Sequence, residues 1–115
     1  TITNKIGKNL DIISECLKQL NIDEPTASEW ERLNILLKRV ENEILLTLFA
    51  KNIPDELRKD ILINEIQPKI PFKVSQEQIE TAIKTLLNKE DIVSIDLKSP
   101  YNSNEIVETI YQYSE

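Results

Sequence analysis

The chain of 115 residues contains no histidine and no methionine, one glycine and one cysteine. Each scarcity removes a class of chemistry. Gly7 alone cannot build a glycine-rich phosphate loop. Cys16 has no partner for an internal disulfide. Without a histidine nearby it also lacks the usual base of a catalytic thiol, so it reads as a small, buried or half-buried hydrophobe. Zinc sites draw mainly on His and Cys, so no metal site is expected. No apolar run approaches the roughly 20 residues that span a bilayer, and no signal-peptide pattern opens the chain. A start at Thr1 without methionine suggests a processed chain or, in preference, a domain taken from a longer protein. Positive charge is also short: the net charge is −6. The acidic excess is spread along the chain, and no stretch offers the clustered Lys and Arg that gain affinity by releasing counterions from phosphates.

What remains is a chain that is 40% hydrophobic and 30% charged, enough to bury the core of one domain. Ile6, Leu10, Ile13, Leu17 and Leu20 are spaced 4-3-4-3, which predicts a helix over about residues 4–21. The same residues form an a/d seam of about two heptads, short of the three or four that define a coiled coil. They would pack on the next helix or on a second chain. "NIDEP" breaks the pattern. Thr26 and Glu29 then have the spacing of a capping box. From there Trp30, Leu33, Leu37, Val40, Ile44 and Leu48 predict one long helix, apolar almost all round in "ILLTLFA" (44–50), which calls for burial on several sides.

Pro54, Asp55 and Glu56 suit the first turn of a further helix, with Leu57, Ile61, Leu62 and Ile66 inward. In "QPKIPFKV" the two prolines favour an extended segment. Alternation of Ile70, Phe72 and Val74 predicts a short edge strand there. Ser75 and Gln78 form a second capping box, opening a helix over 76–89 with Ile79, Ala82, Ile83, Leu86 and Leu87 inward. "IVSIDL" and "EIVETIYQY" alternate on either side of the turn-rich "KSPYNSN" and predict a β-hairpin. Val93, Ile95 and Leu97 share one face of the first strand. On the second, Val107, Thr109, Tyr111 and Tyr113 share one face and Ile106 and Ile110 the other.

From residue 41 the order is helix, helix, short strand, helix, strand, turn, strand. Over 41–113 this resembles the winged-helix superfamily. The carrying stretches are "ILLTLFA", "DELRKDILINEI", "SQEQIETAIKTLLNKE" and the hairpin "DIVSIDL…EIVETIYQY". The resemblance implies a mainly α fold with a small β-sheet: a variant winged helix-turn-helix over 26–115, preceded by a helical arm, 1–25. The nine-residue proline segment before the third helix departs from compact DNA-binding forms, which turn there in three or four. The reading face of that helix would show Glu77, Thr81, Lys84, Thr85 and Asn88. The wing carries Asp96, Glu105 and Glu108 against Lys98. Readers of base edges use Arg, Lys, Asn or Gln backed by cations on phosphates, so this face fits protein contact better than sequence-specific DNA reading. Within the superfamily the chain is similar to the protein-interaction type, namely the carboxy-terminal dimerisation domains of the budding-yeast silent-information-regulator chromatin proteins, paralogues of the largest origin-recognition-complex subunit. The carriers are the added helical arm, the acidic recognition face and "NIPDELRKDILINEIQPKIPF". That likeness implies a homodimer within a larger nuclear heterochromatin protein that acts in gene silencing and transcription regulation, with other chromatin proteins as further partners. No catalytic or DNA-reading residue carries over.

The residues by themselves leave two other classes open. One is a DNA-binding transcription regulator in which Arg32, Lys38, Arg39, Arg58 and Lys59 converge. The other is a winged-helix subunit that assembles with a different protein. Carboxylate pairs such as Glu41/Glu43 and Asp55/Glu56 read as solvated helix faces, so no catalytic, cofactor or metal residues and no enzyme are expected. Self-association is expected through the arm (Ile6, Leu10, Ile13, Leu17) or the last strand (Ile106, Val107, Ile110, Tyr111, Tyr113).

Overall fold

The computed structural model describes residues 1–51, 58–70, 73–101 and 105–114, with the side chains of Ile106 and Val107 outside the description. Thr1 caps helix α1 (Ile2–Gln19), its hydroxyl accepting from the Asn4 amide. Helix α2 (Ala27–Arg32) opens with the predicted capping box. The Thr26 hydroxyl accepts from the Glu29 amide, and the Glu29 carboxylate accepts from the Thr26 amide. The long helix expected from residue 26 is broken. After Leu33, Asn34 turns into the left-handed region (φ 59°), and α3 (Leu36–Ala50) starts afresh. Asparagine tolerates that conformation where most side chains do not. The 3-4 rhythm of apolar residues passes through the break because both pieces bury the same side.

Helix α4 (Lys59–Ile66) runs into a 3-10 turn, Gln67–Lys69, with Pro68 early in it. The proposed helix start at Pro54–Leu57 lies outside the described residues, as does Phe72 of the expected short strand. No strand forms at the described part of that segment. Ile70 and Val74 instead turn inward individually, and the Gln67 side-chain amide donates to the Val74 carbonyl. The second capping box, Ser75 with Gln78, opens α5 (Gln76–Asn88). Glu90, at φ 62°, makes the turn into β1 (Ile92–Lys98), which pairs antiparallel with β2 (Ile106–Tyr113). The result is mainly helical with a small antiparallel sheet.

The core is aliphatic. Val40, Ile44, Leu45 and Leu48 of α3 meet Leu62 and Ile66 of α4, Ile79, Ala82 and Leu86 of α5, and Ile92. Burying each Val, Leu or Ile side chain among them contributes roughly 1.5–3 kcal/mol before conformational entropy is counted. "ILLTLFA" is not buried all round, for Leu46 and Phe49 remain about half exposed, at 47% and 53%. Helix α1 lies along α3. Ile13 enters the core, and Ile6, Cys16 and Leu17 pack against it. Between the two helices the Asn9 amide donates to the Asn42 side-chain oxygen at 2.8 Å, both residues being buried.

One acidic residue departs from the solvated-face expectation. Glu41 is only 1% exposed, with Lys89 at 2.7 Å and Lys38 at 3.4 Å. A buried carboxylate needs such partners, because desolvating an unpaired charge is costly. Asp91 continues the chain of charges, from Lys89 at 3.8 Å to Lys5 of α1 at 3.5 Å. Lys5 also lies 4.5 Å over the Tyr113 ring and donates to the Ser114 carbonyl. The arm, α3, the end of α5 and β2 are thus tied at one corner.

Candidate interaction surface

The two strands are paired Ile92↔Tyr113, Ser94↔Tyr111, Ile95↔Ile110 and Asp96↔Thr109, with a register shift at Leu97/Lys98. Residues directly opposite share a face. Ile92 therefore lies with Tyr113 and Tyr111, and the helices cover this end of the hairpin. Phe49 meets Tyr113 edge-on, with ring centroids 5.3 Å apart. Val93, Ile95 and Leu97 lie on the other face. They are 41%, 38% and 38% exposed, although all three are aliphatic. Ser94, Asp96 and Lys98 are exposed as well, so only Ile92 of β1 is buried. Tyr101, after the strand, is 97% exposed.

The outer edges of the two strands differ. β2 is met at Ile110 by Arg58, a single antiparallel bridge just before α4. The Arg58 Nε stands 3.0 Å from the Glu108 carboxylate, close enough for an ion pair but not aligned as a hydrogen bond. Among the described residues, β1 has no partner beyond β2. Asp96 is drawn back toward β2, where its carboxylate accepts from the Thr109 hydroxyl at 2.9 Å.

Against this geometry the sequence candidates divide. In the arm, Ile13 is interior, Ile6 and Leu17 pack against the core, and only Leu10 is exposed. Leu10 and the exposed Leu46 border a groove of about 380 Å³ between α1 and α3, with Ile6 and Trp30 among its walls. In the last strand Ile110 is 3% exposed, and Tyr111 and Tyr113 pack on the core. Among the described residues, β1 therefore presents a row of three exposed aliphatic side chains on one strand face, Val93, Ile95 and Leu97, which lies outside the arm and last-strand candidates. Their alternation was the available signal. What sequence could not supply was which face the helices cover.

Four of the five basic residues that could meet DNA are occupied. Lys38 pairs with Glu41, Arg58 with Glu108, and Lys59 with Glu80 at 2.8 Å, while Arg39 stacks 5.2 Å from the Trp30 ring. The Lys59 bond holds the Glu80 carboxyl below its ordinary value and raises Lys59 in return. On α5, Glu77, Thr81, Lys84 and Asn88 are exposed and Thr85 is half-buried, so Lys84 stands among neutral and acidic neighbours. Among the described residues no helix is long and apolar enough to cross a membrane, and no group of three potential metal ligands forms. Comparison with family models, curated proteins and solved structures finds no match to this chain.

Proposed function

We propose that this chain is a non-enzymatic protein-interaction module of the winged-helix type, and that its partner is a second copy of itself. Its element order supports the fold reading. Helix α3, the bridge at Arg58, α4, α5 and the β1–β2 hairpin occupy the sequence order of the first helix, first strand, second helix, third helix and wing. In this reading α1 and α2 are additions before the wing-type core. The resemblance to silencing dimerisation domains supports reading the module as part of a larger nuclear chromatin protein, where pairing would link molecules bound to chromatin.

The observation that carries the function is the exposed aliphatic row Val93–Ile95–Leu97 on a strand that, among the described residues, has no partner at its outer edge. Exposed apolar rows and open edges mark contact surfaces. The paired state of four of these basic side chains counts against duplex reading, since Lys38, Arg39, Arg58 and Lys59 would each have to leave a carboxylate or ring to meet a phosphate. Sedimentation equilibrium over a concentration series tests the proposal. A monomer–dimer equilibrium in the micromolar range or tighter is expected. A monomer at several hundred micromolar would refute it, and a complex formed only with a different protein would favour the hetero-assembly class.

A further inference from the structure

We propose that the outer edge of β1 pairs antiparallel with the same edge of a second copy, about a two-fold axis at Ile95, giving one four-stranded sheet ordered β2-β1-β1-β2. This rests on reading the chain as a self-association module and names the surface and register of that contact.

The ladder fixes which backbone groups are free. The Ser114 amide donates to the Asp91 carbonyl at 3.0 Å, and this pair lies in the same register as Ile92↔Tyr113. Hydrogen-bonded and non-hydrogen-bonded pairs alternate along an antiparallel ladder. Asp91, Val93, Ile95 and Leu97 therefore turn their N–H and C=O toward β2. Ile92, Ser94, Asp96 and Lys98 turn theirs outward. The Ser99 amide, donating to the Glu105 carbonyl at 2.9 Å, continues the alternation beyond the register shift.

An isologous contact must match outward groups with outward groups. That places the axis on a residue rather than between two, and Ser94, Ile95 and Asp96 are the residues at the middle of the strand. An axis at Asp96 sets Asp96 against its own copy, and like charges directly opposite are destabilising. An axis at Ser94 pairs only 92–96. An axis at Ile95 uses the whole strand from Ile92 to Lys98. It sets Ser94 against Asp96 of the second copy in a hydrogen-bonded pair, and no like charges face each other directly. It also sets Val93 against Leu97 of the second copy and Ile95 against Ile95, so the two aliphatic rows merge across the seam. Natural edges are blunted by charge, proline or bulges. Between Ile92 and Leu97 this edge has one charge, Asp96, and Thr109 holds that carboxylate toward β2.

Cysteine cross-linking in a Cys16→Ser background reads the register directly. In a non-hydrogen-bonded pair the Cα atoms stand about 4.5 Å apart, within disulfide reach. Ile95→Cys should oxidise to a covalent dimer. Val93→Cys alone should not, because its copies would lie about 13 Å apart along the strands. Val93→Cys mixed with Leu97→Cys should cross-link. Ser94→Pro removes an outward amide that β2 does not use, so the circular dichroism should be retained while dimer affinity falls by roughly tenfold or more. If sedimentation shows a dimer that survives Ser94→Pro, and Ile95→Cys does not cross-link, the edge contact is overturned and self-association stands. If the unmodified chain is monomeric throughout, self-association fails and the edge contact fails with it.

Discussion

The ammonium of Lys89 sits 2.7 Å from the carboxylate of Glu41, a residue 48 positions earlier that is almost wholly buried. The contact fastens the end of α5 to the middle of α3, where the aliphatic core is densest. Removing Lys89 would leave the carboxylate with Lys38 alone. Lys89→Met should lower stability by about 1–3 kcal/mol, the cost of an under-satisfied buried polar group. Glu41→Gln in the same chain should return part of the loss. Thermal unfolding of the two single variants and the double variant measures that coupling.

Leu86 is fully buried on α5, facing α3. Leu86→Ala should cost about 2–5 kcal/mol through lost transfer energy and the cavity left behind. The melting temperature should fall clearly at any protein concentration. A surface role for Leu86 would leave it unchanged.

Tyr113 has the opposite character. Its hydroxyl is buried and has no hydrogen-bond partner among the described residues. Its ring takes the edge contact with Phe49 and lies under Lys5. Tyr113→Phe keeps the ring and removes the unpaired hydroxyl, so stability should hold or rise by up to about 1 kcal/mol. Chemical denaturation with an unchanged slope would show it. A loss above 1 kcal/mol would mean that the hydroxyl has a partner.

Two half-exposed carboxyls have a defined pH dependence. Glu29 is held below its ordinary value of 4.5 by the Thr26 backbone amide first and the Thr26 hydroxyl second, and Glu80 by Lys59 first and Gln76 second. A carboxyl depressed in the folded state adds stability above its unfolded value. That stability is lost as the pH falls through the folded value. Both contributions should therefore be present at neutral pH and disappear on acidification below 4.5. In Lys59→Met, an NMR titration should find Glu80 moved back up toward 4.5 while Glu29 is unmoved.

Lys84 is the only cation on the exposed face of α5 among Glu77, Thr81, Thr85 and Asn88. If that face does not read DNA, Lys84→Glu should leave duplex association unchanged at low salt. A large loss of duplex binding with an intact circular-dichroism spectrum would reverse the assignment.

Features decided within a few residues were legible in the sequence. Both capping boxes form as their spacing indicates, and the inward stripe of α5 is buried at Ile79, Ala82, Ile83 and Leu86. The break at Asn34 was hidden because one apolar rhythm serves both α2 and α3, leaving only a single asparagine as the signal. The burial of Glu41 was hidden because its closest cation comes from the far end of α5. The hairpin was legible, but its contact face was not. Ile110, opposite Ile95 in the ladder, is buried with the core while the β1 row stays exposed; both depend on how the helices meet the sheet.

The buried amide pair Asn9–Asn42 has a consequence for how the arm can sit. Aliphatic helix faces are tolerant of sliding, since one leucine replaces another at little cost. An amide sealed between two helices is not tolerant. Moving α1 by one turn would place Lys5 or Ile13 where Asn9 stands and leave the Asn42 side chain dry and unmatched, at a cost of about 1–3 kcal/mol. The pair works as a key: misaligned arms, including an arm offered by another molecule in the wrong register, are rejected without any change in the apolar surface around it.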